Sequence, residues 1–183
     1  MTWDKQECER RITKDRSRGF SLIELLIVVA IILVIAAIAI PNFLRAKIAS
    51  NEASAAASLR TVTTAETTYA SSWGTGYAAA IDNLGGPAPC TAGTAANACI
   101  IDSLLSMPPY SKSGYTFSAS GNTLVGTVNN GFEANATPNA VDTTGKRAFC
   151  SDQTGVLRAN TTGVAIGLAP GQCATVVTLI VGN

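Results

Sequence analysis

Apolar and polar positions alternate along this chain in blocks of very different character. Residues 1–19 are hydrophilic and carry six basic and four acidic side chains, whereas residues 25–40 contain no polar side chain. Wound as an α-helix, residues 20–40 measure about 31 Å, close to the ~30 Å hydrocarbon thickness of a bilayer, so this segment can cross a membrane. Pro41 follows it; with no backbone donor and a ring that crowds the preceding turn, it predicts a kink or a locally melted turn over residues 37–41.

Helical periodicity then resumes. Leu59, Val62, Glu66, Tyr69 and Trp73 recur at three- and four-residue steps, among the small helix formers of residues 53–57 and Ala65. One face can lie against a sheet, with Tyr69 and Trp73 as core residues, while the Ala-rich faces allow close approach of other helices. Gly74-Thr75-Gly76 should end the helix, giving one element over residues 20–73.

From Tyr77 the composition shifts to Gly, Ala, Ser, Thr and Asn, and Gly85-Gly86-Pro87-Ala88-Pro89 reads as a loop. Residues 99–107 form a short amphipathic pattern stopped by Pro108-Pro109. Beyond it the pattern is strand-like over residues 114–119, 123–128, 132–136, 147–152 and 156–158, and residues 174–181 are apolar and β-branched enough to add a strand. Ser120-Gly121-Asn122, Asn129-Asn130-Gly131 and Gln153-Thr154-Gly155 are the expected turns of an antiparallel meander. The fold class is therefore α+β. A long N-terminal α-helix, membrane-spanning in its first half and amphipathic in its second, packs on a C-terminal antiparallel β-sheet. The segments are 1–19, 20–41, 42–74 and 75–183.

Composition suits such a divided molecule. Only 14% of the 183 residues are charged while 47% are hydrophobic, and the +1 net charge conceals a basic leader. Lys5, Arg10, Arg11, Lys14, Arg16 and Arg18 outweigh Arg45 and Lys47 beyond the apolar run, so the leader should stay in the cytoplasm and everything after Pro41 should be extracytoplasmic. No basic patch with interleaved aromatics supports specific nucleic-acid binding.

Of the five cysteines, Cys8 lies in the leader and Cys90, Cys99, Cys150 and Cys173 in the exported part. Four cysteines in an oxidising compartment read as two disulfides with three possible connectivities, and proximity along the chain favours Cys90 with Cys99 and Cys150 with Cys173. Each would contribute roughly 3 kcal/mol by loop closure. The chain has no histidine and no CxxC spacing, so no metal site and no cofactor are expected, and Ser-His or Cys-His nucleophiles are excluded. Asp82, Asp102, Glu133, Asp142 and Asp152 are spread singly and read as solvated surface charges, so no catalytic residues are assigned. Asn135-Ala136-Thr137 and Asn160-Thr161-Thr162 match the glycosylation triplet, a pattern common by chance in such a chain.

The apolar run is too long for a secretory signal, whose apolar region is about 7–15 residues, and Ala39-Ile40-Pro41-Asn42-Phe43 lacks a small-x-small cut. A cut before the run fits better. There, Arg18-Gly19-Phe20-Ser21-Leu22-Ile23-Glu24-Leu25-Leu26 closely resembles the class III signal of type IV prepilins and type II secretion pseudopilins. The resemblance extends well to Trp73 and beyond that is one of layout. It implies that a membrane peptidase cuts after Gly19 and methylates Phe20, that the fold is the pilin fold, and that residues between Cys150 and Cys173 form a disulfide-bounded surface loop. Glu24 has two readings. It lies about 6 Å along the helix from Phe20 and can simply reach the headgroups. The resemblance instead implies that Glu24 meets the freed amine of Phe20, its own or a neighbour's, when helices pack in a filament.

The resemblance implies a type IVa major pilin: a single-pass inner-membrane precursor, then an extracellular homo-oligomeric helical filament serving adhesion, twitching motility or DNA uptake. Its implied partners are the prepilin peptidase and methyltransferase, an inner-membrane assembly platform, cytosolic assembly ATPases and an outer-membrane secretin. The alternatives are a major pseudopilin of type II secretion, disfavoured by the four cysteines and the few acids after Asp152, a minor pilin, or a membrane anchor displaying a β-rich domain.

Overall fold

A computed structural model describes residues 19–176. The expectations for residues 1–18, and for a strand beyond residue 176, lie outside the described residues. The chain divides into two units, Met1–Pro41 and Asn42–Asn183.

One helix, α1 (Leu22–Trp73), passes through the boundary between them. Its first part is rich in Ile and Val, weak helix formers in water, but a segment in lipid must satisfy its backbone internally and a helix does so. The helical pattern continues through residues 37–41, so the melted turn is not present at Pro41. Every side chain of residues 19–35 is exposed, and Ala36 alone is half-buried before Pro41.

In the second unit α1 becomes one layer of an α/β sandwich. Glu52, Ala55, Leu59, Val62, Glu66 and Tyr69 are buried at helical spacing, while Trp73 is half-buried. The expected face is therefore in place, but it begins only near residue 51; residues 42–50 are exposed apart from Ile48. Gly74, at φ +65, takes the left-handed position after the helix and its N–H reaches Ala70 O at 3.3 Å. At Gly76 any Cβ would collide with the Asn129 carbonyl, which accepts from Tyr77 N at 2.9 Å.

Five strands form one antiparallel meander in the order β1-β2-β3-β4-β5: β1 (Ser111–Lys112), β2 (Tyr115–Val125), β3 (Val128–Pro138), β4 (Ala148–Asp152) and β5 (Arg158–Asn160). The expected turns at residues 120–122 and 129–131 are corrected, since both lie inside the 11-residue strands β2 and β3. The chain reverses instead at Gly126-Thr127, inside the stretch expected to be a strand, with Gly126 at φ +65 and Val125 paired to Val128. Gly121 is there for close approach rather than turning: its Cβ would lie 2.6 Å from Ala78 O, and its cross-strand partner is the fully buried Phe132. The turn after β4 is where it was expected, with Gly155 N bonded to Asp152 O at 2.9 Å, but β5 begins two residues later than its pattern suggested.

Tyr115, Phe117, Phe132 and Phe149 pack from the sheet against Leu59 and Val62 of α1, and Ile81, Leu84, Ala98, Ile101 and Leu105 of the intervening segment close the core. That segment holds a 3-10 turn (Ile81–Leu84) and one helical turn, α2 (Ser103–Ser106), capped by the Asp102 side chain on Leu105 N. β4 is buried throughout because its alternate residues serve two layers. Phe149 faces the main core, while Ala148 and Cys150 join Ile166 and Cys173 beneath the C-terminal segment. Residues Cys173–Thr175 form a 3-10 turn there, so Ala174 and Thr175, expected to start a strand, do not.

Two cross-links and one ion pair hold these layers. Disulfides join Cys90 to Cys99 and Cys150 to Cys173, both with Cα atoms 5.7 Å apart. Glu52 on α1 takes Lys146 N at 2.9 Å and Arg147 N at 3.1 Å, and its Oε2 lies 2.7 Å from the Arg147 guanidinium. Burial alone would raise the Glu52 pKa, but these donors and the Arg147 charge together hold it below the usual carboxylate range. We expect Glu52→Ala to lower stability by about 1.5–3 kcal/mol, the range for hydrogen bonds to charged groups, read by chemical denaturation of the detergent-solubilised protein. An unchanged transition would mean that the α1–β4 tie is not energetically significant.

Candidate assembly site

The feature that no compact domain explains is the N-terminal part of α1. It is the one helix among the described residues long and apolar enough to cross a membrane, and none of that window is buried. Leu22, Leu25, Leu26, Val29, Ala30 and Leu33 line a continuous apolar groove along it. Such a surface is stable only against lipid or against other apolar helices.

Gly19 and Phe20 precede the helix, and Phe20 is 74% exposed. Leu25 N donates to Ser21 O at 3.1 Å, so the first turn forms directly after Phe20. Glu24 lies in that turn, the single ionisable side chain between Gly19 and Arg45, exposed and close to the positive end of the helix dipole. A cut at Gly19 would place a new ammonium at the same end. The chain thus carries an acid, a glycine and an aromatic residue at one tip of an uncovered apolar rod.

The family described as the prokaryotic N-terminal methylation motif matches residues 14–40. The N-terminal segment carries that motif. The type IV major pilin protein PilA of Myxococcus xanthus (strain DK1622) is 50% identical over 54 residues, 30% of this chain and 24% of that relative. The match therefore spans about a quarter of the relative's length. No solved structure matches the chain.

The remaining candidate residues lie in Asn42–Asn183. Asp82, Asp102 and Asp142 are exposed as expected, but Glu133 and Asp152 are not solvated charges. They face each other across β3 and β4 beneath the C-terminal segment. Glu133 accepts from Gly171 N at 2.8 Å and Cys173 N at 3.1 Å, and Asp152 accepts from Thr154 N at 2.9 Å. Burial raises the Glu133 pKa, the two backbone donors oppose the rise, and the Asp152 charge adds to it. Together with the Cys150–Cys173 disulfide, Glu133 fastens the C-terminal segment to the outer face of the sheet. Asn135 lies in the same layer, buried, with its Nδ2 donating to Ile166 O; its triplet is closed to a modifying enzyme while the domain is folded.

Two structural acids were hidden from sequence reasoning. Glu52 lies one heptad before Leu59 in the helical stripe, which is the signal that could have found it. Glu66 was in the stripe, yet its environment was not legible: it is fully buried, its Oε2 accepts from Ala78 N at 2.8 Å, and its Oε1 has no partner among the described residues. Burial pushes its pKa up to about 7 against a bond from Ala78 N that pulls it down.

The folded state therefore holds the Glu66 proton more tightly than the unfolded chain, whose value is near 4.5. The resulting stability is fully present below about pH 4.5 and is lost as pH rises through about 7. Glu66→Gln should flatten the pH dependence of the melting temperature over that window and raise it above wild type at alkaline pH. Parallel melting curves for the two proteins would contradict this placement of the acid.

Proposed function

We propose that this chain is the structural subunit of a type IV pilus, held in the inner membrane as a precursor, cut after Gly19, methylated at Phe20, and polymerised through α1 into an extracellular filament. The observation that carries this reading is the uncovered apolar helix with Glu24 four residues past Phe20. In lipid, Glu24 remains at the headgroup level; between packed helices it is withdrawn from water and needs a cation. The ammonium that cleavage creates on Phe20 is the nearest one the chain can supply, and pairing sets the axial register. Pro41, in this reading, is a kink position of the helix, because it brings no backbone donor to the preceding turn. Processing by a prepilin peptidase, extraction by an assembly platform driven by cytosolic ATPases, and passage through an outer-membrane secretin belong to the same proposal. So do adhesion, twitching motility and DNA uptake as uses of the fibre.

A major pseudopilin would share the N-terminal segment. The disulfide-held C-terminal segment and the similarity to the Myxococcus type IV major pilin favour the pilin.

N-terminal sequencing of fibres sheared from cells should begin at methylated Phe20; an intact Met1 in the membrane fraction would point to a plain anchor. Glu24→Gln should leave membrane insertion intact and reduce fibre yield at least tenfold, scored by electron microscopy beside membrane fractionation. Wild-type yield from that variant would remove the pairing from the account.

A further inference from the structure

The β2–β3 hairpin ends in an aliphatic, uncharged tip. Leu124 and Val125 are 66% and 63% exposed, and Gly126, Thr127 and Val128 complete the turn. Isolated exposed aliphatic residues are ordinary, but two adjacent ones at the end of a rigid hairpin are a ready contact. The hairpin is not loose: Asn129 N bonds to Thr75 O at 3.4 Å, and its Nδ2 to Tyr77 O at 3.1 Å, fixing the tip beside the C-terminal end of α1.

At the other end of the same unit lies an open groove of about 400 Å³ between α1 and the start of β4, with Ile48 and Ala49 as its apolar wall and Arg45, Glu52, Arg147 and Thr161 around it. Most of its charge is already answered. Arg147 is paired with Glu52 at 2.7 Å, and Lys146 at the rim lies 3.7 Å from Asp142. An uncharged aliphatic tip can enter without stranding a charge, and it brings no cation to oppose Arg45.

From Ala49 to Trp73 the helix rises about 36 Å, so tip and groove cannot meet within one chain. Two copies displaced along the α1 direction can bring them together. Such a contact joins different patches on the two copies, and a heterologous contact that does not close into a ring repeats as a helical filament. Resting on the pilus reading above, we propose that the Leu124–Val125 tip of one copy seats in the Ile48–Ala49 groove of the next. This gives the filament a contact between globular parts in addition to helix packing.

The test uses the full chain, expressed in cells with a working processing and export apparatus. Leu124→Cys combined with Ala49→Cys should, on mild oxidation of sheared fibres, give a ladder of covalent multimers, while each single variant gives none. The four cysteines of the exported part are already paired and do not interfere. Normal fibres whose double variant stays monomeric, or stops at a dimer, would overturn the contact and leave the pilus reading standing. Absence of wild-type fibres would overturn both. Independently, the double variant Leu124→Asp with Val125→Asp should cut fibre yield at least tenfold while leaving the melting temperature of detergent-solubilised subunits unchanged; undiminished yield would also overturn the contact.

Discussion

The physical constraint behind this molecule is that an α-helix satisfies its own backbone hydrogen bonds and is therefore indifferent to which apolar medium surrounds it. Residues 22–40 can be solvated by lipid or by copies of themselves with no change of secondary structure, because only side chains meet the surroundings. A sheet edge could not make that exchange. What distinguishes the two media is the one group that is not apolar. Glu24 can reach water at a bilayer surface, and among packed helices it requires a cation, so a single carboxylate makes the two states chemically different.

Within Asn42–Asn183 the same helix has the opposite task, supplying one wall of a conventional core. The sheet is short and would be open on its outer face were it not for the segment that Cys150–Cys173, Glu133 and Asn135 hold across it. β4 is consequently covered on both sides, which is why its five residues are all buried while β2 becomes exposed toward its end. A domain of this size gains much from such fastening, since its core alone is modest.

The buried acids share one arrangement. Glu52, Glu66, Glu133 and Asp152 each sit on a regular element and accept a backbone N–H from an irregular one: Lys146 and Arg147, Ala78, Gly171 and Cys173, and Thr154 respectively. A carboxylate can take several such donors, and loops carry N–H groups that no ladder satisfies. The loops of this Gly-, Ser- and Thr-rich domain are thus placed by acids as much as by apolar side chains. Of these four, Glu66 has an oxygen, Oε1, that is fully buried with no partner among the described residues.

Local patterns were enough to read the apolar rod with its single acid Glu24, the buried stripe from Leu59 to Tyr69 and the helix stop at Gly74, because each depends on neighbours within one or two turns. The meander was legible as a class, but its turns were not. Glycine next to Ser or Asn marks a turn and a close backbone approach alike, and only the packed structure shows that Gly121 serves the second while Gly126 serves the first. Nor could spacing along the chain distinguish a solvated acid from Glu133 or Glu66, since burial is decided by segments distant in sequence. The amino-acid order by itself therefore determined which segment can live in an apolar medium and which carries a core face. The tertiary structure alone decided where the chain reverses and which charges leave water, because those depend on contacts formed only once the layers are together.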